Sequence, residues 1–259
     1  MTNDQCVTVT REGPVAILTM AYAPHNLLGL DLMSGMRRAL LEAQTGGARA
    51  VLLKSGLRHF SAGADTSLFV DAIGPEGKLS VSPLAFLREL ESFPLPIVAA
   101  IQGVCVGGGF ELALACDFVI AARSAKIGSV EATIGINPLM GAVQRQVQRA
   151  GVARAKEISM LGRRYDAETF ERWNIINRVV DDEKLDEAAM VIALELGNGP
   201  TLAHTITKQL ANLAAAHGVE AADEAMEQMQ LPLWASEDLK IGLESLMTRG
   251  PGLAEFKGK

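Results

Sequence analysis

Cysteines are scarce in this sequence, and long apolar runs are absent. The three cysteines among 259 residues, Cys6, Cys105 and Cys116, are widely spaced and form no Cys-x-x-Cys pair. Such a pattern does not build a disulfide framework, which predicts reduced thiols and a cytoplasmic location. No segment approaches the ~18 uninterrupted apolar residues of a membrane span, and the first residues lack the basic and apolar regions of a secretory signal. We therefore expect no membrane as a partner.

Positive charge is also in short supply, with 24 lysines and arginines against 30 acidic residues and a net charge of −6. Nucleic-acid binding requires a basic surface, so this balance argues against nucleic acid as a partner, although it is compatible with a small anionic ligand. The four histidines, His25, His59, His204 and His217, are scattered and show no His-Glu-x-x-His spacing. The sequence therefore predicts no metal site.

Apolar residues recur in short runs separated by helical patterns. Hydrophobic residues make up 49% of the chain and charged residues 21%, which is typical of a globular protein. Buried strands appear in a sequence as continuous apolar runs, and here such runs alternate with segments of helical spacing. We therefore expect an α/β fold with a largely parallel, covered sheet. The predicted strands cover 7–10, 15–20, 50–55, 96–101 and 118–122, with a turn at 11–14 and a helix at 27–43. After about residue 140 the pattern is helical, which favours helices packed on the core or facing a partner subunit.

The segment GVCVGGGFELALACD (103–117) places three glycines between a predicted strand and a predicted helix at 108–116. The first N–H groups of a helix have no intrahelical acceptor, and glycines let a ligand approach them closely. Such a turn can hold an oxyanion or a phosphate. No Gly-Lys-Ser/Thr follows, and Leu112 stands where a Gly-x-Gly-x-x-Gly fingerprint needs its last glycine, so neither nucleotide-binding motif is present.

Glu111 is the one carboxylate in this otherwise apolar helix. A buried carboxylate is either compensated by an arginine or by backbone donors, or it carries a perturbed pKa that suits acid/base chemistry. Glu131 lies in the next apolar segment, KIGSVEATIGI, 20 residues further along (111 to 131). A strand returning across the sheet would bring the two together as an acid/base pair. Local sequence leaves both interpretations of Glu111 open.

A second turn lies in HFSAGADTSLF (59–69). Gly63 permits a tight turn, and Asp65 is placed to cap a short helix from Thr66. The N–H of Ala64 would then point outward, and together with the N–H of Gly108 it would form an oxyanion hole. The structural alternatives are a plain capping role for Asp65 and an ordinary loop position for His59.

Three blocks together resemble one known family: FSAGAD (60–65), PLPIVAAIQGVCVGGGFELALACD (94–117) and IGSVEATIGINP (127–138). They are similar, in order and in spacing, to the crotonase (enoyl-CoA hydratase/isomerase) superfamily, and most like its enoyl-CoA hydratases. The resemblance implies an α/β crotonase (ClpP/crotonase-like) spiral of ββα units. The core and acyl-CoA site would occupy residues 1–195, and 196–259 would form a helical region that makes the contacts of a homotrimer or homohexamer.

The resemblance also implies a site. Ala64 and Gly108 would hold a thioester enolate, Glu111 would activate water, and Glu131 would supply a proton. Coenzyme A would enter as part of the acyl-CoA substrate, with no separate cofactor, and the Phe256–Lys257 tail would reach the coenzyme A of a neighbouring subunit. The implied substrate-binding and CoA-binding residues are Ala23, Asn26, Leu27, Ala62, Asp65, Thr66, Val104, Val106, Gly107, Val130, Pro138 and Leu139.

Some positions depart from the hydratase pattern. Val130 stands where hydratases often have proline, and Leu139 and Met140 replace small residues beside the active centre. These larger side chains would narrow the acyl pocket or shift the water. Residues 71–83, expected to be a mobile loop, and Phe86–Leu90 would shape the acyl end. The predicted reaction is hydration of a 2-enoyl-CoA; the alternatives are double-bond isomerisation, decarboxylation, thioester hydrolysis or a non-catalytic crotonase-fold protein.

Overall fold

The computed structural model describes residues 6–70, 73 and 82–259. Most of the predicted mobile loop at 71–83 lies outside the described residues. The strands are β1 (Val7–Glu12), β2 (Val15–Met20), β3 (Ala50–Ser55), β4 (Ile97–Ile101), β5 (Val104–Val106), β6 (Phe118–Ala122), β7 (Lys126–Gly128), β8 (Tyr165–Asp166) and β9 (Arg178–Val180). The helices are α1 (Leu30–Thr45), α2 (Ser67–Val70), α3 (Pro83–Glu91), α4 (Gly108–Leu114), α5 (Ala142–Leu161), α6 (Ala167–Arg172), α7 (Leu185–Asn198), α8 (Thr201–His217), α9 (Val219–Met229) and α10 (Glu237–Thr248). Short 3-10 turns cover Glu131–Ile134, Asp182–Lys184 and Leu231–Ala235.

The main sheet has the strand order β1-β2-β3-β4-β6-β9. β1 and β2 form an antiparallel hairpin, and every other neighbouring pair in this sheet is parallel. Successive side chains on a strand face opposite ways, so Leu53 packs into the core that includes α1 and α3, while Leu52 packs under α7. The predicted α/β fold with a largely parallel sheet, covered on both faces, is confirmed.

Helix α1 begins later than the sequence pattern predicts. The N–H of Leu28 donates to the carbonyl of Gly63 at 2.9 Å, and the N–H of Asp65 donates to the carbonyl of Leu28 at 2.9 Å. These bonds hold the chain before α1 in an extended bridge to Ala64. The apolar residues at 27 and 28 therefore fit a helical period but belong to a strand-like contact with the second glycine turn.

A second sheet, of order β5-β7-β8, places the two glutamate-bearing segments side by side. β5 and β7 are parallel, with Val106 opposite Gly128, and the N–H of Gly107 donates to the carbonyl of Gly128 at 3.0 Å. Parallel strands end at the same edge of a sheet, where ligands of α/β proteins bind. The glycine turn after β5 and the segment carrying Glu131 after β7 therefore emerge together.

Helix α5 is irregular in its middle. Its backbone leaves helical geometry at Gly151 (φ 79°, ψ 169°), which separates a first part that starts beside the glycine turns from a second part. A φ in this range is one that glycine adopts without a steric penalty. The first part carries Ala142, Arg145 and Gln146, and the second part ends at its C-cap Gly162, beside Thr133 of the Glu131–Ile134 turn.

The C-terminal helices are much less buried than the rest. α7 packs on the main sheet and continues through the predicted boundary at 195, so the change in burial comes at α8. Ile206 is the buried residue of α8 and Ala222 that of α9. The chain end is tied to α10, since the N–H of Lys257 donates to Asp238 Oδ1 at 2.6 Å. Within the described residues, no helix combines the length and the apolar character needed to cross a membrane.

Candidate active site

A cavity of about 210 Å³ opens where the two glycine turns and the end of β7 meet. Its lining is largely apolar, and among the described residues its acidic members are Glu111 and Glu131. The lining residues are Leu28, Met33, Ala62, Gly63, Ala64, Thr66, Leu68, Phe69, Pro83, Gly107, Gly108, Glu111, Val130, Glu131, Thr133, Ile134, Ile136, Leu139 and Met140.

Two backbone N–H groups lie close together at this cavity. Within residues 6–70, 73 and 82–259, neither the N–H of Ala64 nor that of Gly108 donates a hydrogen bond. The neighbours of Ala64 are paired to Leu28, which leaves the N–H between them pointing the other way. A Cβ on Gly108 would lie 3.3 Å from the nitrogen of Ala64, so the two turns are in close approach. Two such donors suit a single oxyanion.

Gly107 gives the first turn its shape. Its φ of 55° and ψ of −131° are accessible to glycine and strained for other residues. A Cβ there would lie 3.6 Å from Glu131 Oε1 and 3.6 Å from the Cα of Gly63. The turn therefore sits against both the second turn and the second glutamate.

Glu111 is 2% exposed, and one of its oxygens is held by the backbone. Oε1 accepts the N–H of Met140 at 2.8 Å and the N–H of Ala142 at 3.0 Å. Burial and, to a smaller extent, the nearby Glu131 raise the pKa of Glu111, while the two amides and Arg145 oppose the rise, and the resulting pKa is about 7. Both interpretations of the sequence are therefore partly right: the carboxyl caps backbone donors, and its pKa lies near neutrality.

Glu131 has a different environment. It begins the 3-10 turn Glu131–Ile134 and is 9% exposed. Both of its carboxylate oxygens are buried and accept no hydrogen bond from another residue in the described part of the chain. Burial raises the pKa of Glu131. An unpaired buried carboxyl favours its protonated form, which can donate a proton into the cavity.

Several other residues predicted for the site line the cavity: Ala62, Thr66, Gly107, Val130 and Leu139. Met140, noted as a departure from the hydratase pattern, lines it as well and is 2% exposed. A Cβ on Gly108 would lie 3.5 Å from the Met140 sulfur. The larger side chain therefore occupies space directly beside the donor pair.

Asn26, predicted to contact the substrate, is fully buried. Its side-chain oxygen accepts the N–H of Tyr22 at 2.7 Å. Its nitrogen donates to Ser55 Oγ at 2.8 Å and to the carbonyl of Phe60 at 3.0 Å. The side chain thus ties the 22–26 segment to the base of the second turn.

Asp65 caps α2, with Oδ1 accepting the N–H of Ser67 at 2.9 Å, as the structural alternative predicted. Val106 and Pro138 are buried next to lining residues, Leu27 and Val104 are partly exposed, and Ala23 is exposed. None of these is part of the described cavity lining.

His59 occupies a structural position in the loop before the second turn. Its Nδ1 accepts the N–H of Val104 at 3.1 Å. Burial and the neighbouring Arg58 lower the pKa of His59. Among the described residues, no group of three or more histidine, cysteine, aspartate or glutamate side chains is arranged to hold a metal ion.

Sequence reasoning missed most of the apolar wall. Leu28, Met33, Leu68, Ile134 and Ile136 line the cavity, but in sequence they resemble ordinary core residues. Phe86, Leu87 and Leu90, expected at the acyl end, lie in the main core, whereas Pro83 at the start of α3 reaches the cavity. Apolar wall and apolar core have the same composition, so no signal in one sequence separates them.

Comparisons with known proteins agree with this geometry. A family model for enoyl-CoA hydratase/isomerase matches residues 10–256. The carnitinyl-CoA dehydratase of Salmonella typhi is 34% identical over 204 residues, which cover 78% of this chain and 78% of that protein.

Solved structures extend the match to the whole fold. A subunit of enoyl-CoA hydratase from Geobacillus kaustophilus HTA426 superposes with a TM-score of 0.90 at 29% identity, covering 98% of each chain. An enoyl-CoA hydratase from Bacillus anthracis superposes with a TM-score of 0.88 at 28% identity, covering 98% of this chain and 100% of that chain. The crotonase fold expected from the sequence blocks is confirmed. The chain therefore belongs to the enoyl-CoA hydratase/isomerase family and is an acyl-CoA enzyme of the crotonase superfamily.

Proposed function

We propose that this enzyme catalyses the reversible addition of water to a 2-enoyl-CoA, giving a 3-hydroxyacyl-CoA. The observation that carries the proposal is the meeting of four groups in one apolar cavity: Glu111, Glu131 and the N–H donors of Ala64 and Gly108. Burial raises the pKa of both carboxyls, that of Glu111 to about 7, which suits them to acid/base chemistry.

The backbone donors bind the thioester oxygen. When water adds to the 2-enoyl group, negative charge moves onto this oxygen as an enolate. Donors that are already oriented toward one point stabilise that charge without reorganising, and the apolar wall strengthens the interaction by excluding water. Ala64 and Gly108 therefore stabilise the enolate more than the neutral thioester.

The two carboxyls share the proton transfers. Glu111 is anchored through Oε1, so its other oxygen can orient a water molecule for attack at C3 and take up its proton. Glu131 gives a proton to C2, and proton exchange between the carboxyls and solvent restores the starting state. The two amides on Glu111 oppose the rise of its pKa and so stabilise its ionised form, whereas Glu131 accepts no hydrogen bond from another residue in the described part of the chain.

The described wall favours an apolar acyl chain. A carnitinyl group carries a quaternary ammonium, which proteins hold with aromatic faces or acidic side chains. Phe69 is the one aromatic residue in the described lining, and its acidic residues are the two proposed catalytic glutamates. The other large side chains of the wall are those of leucine, isoleucine and methionine, which match a hydrocarbon chain.

A panel of enoyl-CoAs of graded length, together with carnitinyl-CoA, tests this proposal. Product formation is read by mass spectrometry as gain or loss of one water. We expect hydration of the apolar substrates, with Glu111→Gln and Glu131→Gln each lowering kcat by about 10²- to 10⁴-fold. Wild-type rates in both variants on every substrate would refute a catalytic role for the pair.

The same panel separates the other reactions of this scaffold. Isomerisation moves the double bond without changing mass, decarboxylation releases carbon dioxide, and thioester hydrolysis releases free coenzyme A. A non-catalytic protein would turn over none of the substrates, and a lack of acyl-CoA binding by calorimetry would exclude the family's chemistry altogether.

Assembly as a homotrimer or homohexamer is part of the proposal. Apolar side chains on the C-terminal helices are exposed in the single chain, including Val219, Trp234 at 65% and Met247 at 84%. Burying such residues between subunits would stabilise an oligomer. Sedimentation of the purified protein tests it, and a monomer at micromolar concentration would contradict it. A cytoplasmic location and the absence of a nucleic-acid partner stay predictions.

A further inference from the structure

Arg145, in the first turn of α5, makes contacts on two sides. Its Nε donates to Glu91 Oε1 at 2.6 Å, and its Nη2 pairs with Glu91 Oε2 at the end of α3. Its Nη1 donates to the carbonyls of Met140 at 3.3 Å and Gly141 at 3.0 Å. The Arg145 side chain is 11% exposed and that of Glu91 31%. The guanidinium therefore joins α3 to the turn before α5 through a partly buried contact.

This turn, residues 140–142, is the same one that holds Glu111. The N–H groups of Met140 and Ala142 point at Glu111 Oε1, while carbonyls of the turn point at Arg145. Gly141 has a φ of 96°, and a Cβ at this position would overlap the Arg145 guanidinium. The turn is thus shaped to accept a guanidinium on one side and a carboxylate on the other.

We propose that Arg145, anchored by Glu91, is a positioning residue that fixes the 140–142 turn and so holds Glu111 in place at the cavity. This inference rests on the proposed function, because it assigns a reason for the geometry of the proposed water-activating carboxyl. Arg145 acts through the turn and not by touching the substrate.

Loss of this contact has a geometric and an electrostatic effect. Within the described part of the chain, the charged side chains that act on Glu111 are Glu131 from the 3-10 turn and Arg145 from α5. Without the guanidinium, the two amide donors are held less firmly, and the charge that opposes the raised pKa of Glu111 is gone. Both effects disfavour the ionised carboxyl that must orient water. A misplacement of about 1 Å at a reacting group can cost on the order of 100-fold in rate.

Three variants separate these effects. Arg145→Gln removes both the positive charge and the planar guanidinium group. Arg145→Lys keeps the charge but lacks the planar fork that spans Glu91 and two carbonyls. Glu91→Gln keeps the arginine and weakens its anchor. The matched control is the Arg37–Glu89 ion pair, in which the same helix α3 binds an arginine through two bonds at 2.6 and 3.1 Å on the exposed surface.

The measurement is kcat and KM as functions of pH, together with a titration of the Glu111 carboxyl carbon by ¹³C NMR in labelled protein. We expect Arg145→Gln to lower kcat by about 10- to 100-fold with KM changed by less than about threefold. We also expect the acidic limb of its kcat profile to move to higher pH. Arg145→Lys should lower kcat with a smaller movement of that limb, and Glu91→Gln should resemble it. Arg37→Gln and Glu89→Gln should leave both curves unchanged.

Wild-type kcat and an unmoved acidic limb in Arg145→Gln would overturn the proposal. If that variant does not fold, the same result in both Arg145→Lys and Glu91→Gln overturns it. Failure of the proposed function can be distinguished from failure of this inference, because the NMR titration of Glu111 can be recorded even if the enzyme is inactive on every enoyl-CoA. A Glu111 titration unchanged by all three variants would then exclude the positioning role by itself.

Discussion

Gln146 Nε2 donates a hydrogen bond of 2.7 Å to Ser129 Oγ, two residues before Glu131. Ser159 in turn donates to Gln146 Oε1 at 3.0 Å. Gln146 and Ser129 are fully buried, so their hydrogen bond joins α5 to the end of β7 away from solvent. The first part of α5 therefore contacts the segments that hold both glutamates, through Arg145 for Glu111 and through Gln146 for Glu131.

Replacing Gln146 with methionine should destabilise the protein by about 1–3 kcal/mol, since Ser129 loses its buried donor while the volume is roughly kept. Chemical denaturation with urea measures this as a lower free energy of unfolding. Gln144→Met, at an exposed position of the same helix, is the matched control. Equal stabilities for the two variants would mean that the buried chain contributes nothing.

Glu111→Gln should stabilise the protein at alkaline pH. The folded-state pKa of Glu111 is raised from 4.5 to about 7, so the folded state binds this proton more tightly than the unfolded state does. Stability linked to the group is present below pH 4.5 and is lost as pH rises through 7. The loss is on the order of 3 kcal/mol, from about 1.4 kcal/mol per pKa unit.

Urea denaturation of wild type and Glu111→Gln at pH 5 and pH 8 checks this sign. The variant's advantage should be larger at pH 8, where the wild type must bury a charge. Glu183→Gln, at an exposed position, controls for the loss of one carboxylate. An advantage that shrinks with rising pH would show that the folded state stabilises the ionised Glu111.

Gly108→Ala should remove activity with little effect on the fold. The added methyl would lie 3.3 Å from the nitrogen of Ala64 and 3.5 Å from the sulfur of Met140, in the space meant for the thioester oxygen. Losing access to an oxyanion donor costs about 10²- to 10³-fold in kcat. Steady-state kinetics measures the loss of activity, and circular dichroism shows whether the fold is retained.

The control for that substitution is Gly56→Ala, outside the described cavity lining, where a Cβ would lie 3.1 Å from Thr19 Cγ2. It should leave kcat at the wild-type value. Comparable kinetics for both alanine variants would mean that the N–H of Gly108 is not an oxyanion donor.

Met140→Ala should enlarge the cavity beside the donor pair. The side chain is 2% exposed, so its loss should cost about 2–5 kcal/mol of stability. The opened space should raise the relative kcat/KM for enoyl-CoAs with a bulkier or branched acyl group. A competition assay between a linear and a branched substrate measures the ratio; an unchanged ratio would place the acyl group elsewhere.

Much of the fold follows from local patterns in the sequence. β3, β4 and β6 are continuous apolar runs because both faces of the main sheet are covered, and they were predicted within a residue at each end. β5, β7 and β8 were not predicted as a sheet. They are two or three residues long, too short for a periodic signal, and they are fixed by pairing with one another.

The site was predictable where the type of a residue indicates its chemical role. A buried glutamate and a glycine turn are conspicuous, so Glu111 and Gly108 could be identified from local sequence. The partners of Glu111 could not, because any residue has an N–H, and that of Ala142 lies 31 residues away (111 to 142). Asn26 was assigned to the substrate through the family resemblance alone, and in the structure its amide bonds to the protein's own loops.

The break in α5 at Gly151 has a mechanical consequence. Backbone hydrogen bonds do not run regularly through this point, so a displacement of residues 152–161 is not passed along the helix to Arg145. Ser159 to Gln146 is a side-chain link across the break. Displacements of the second part therefore reach the segment before Glu131 through this side-chain link and not through the helix backbone.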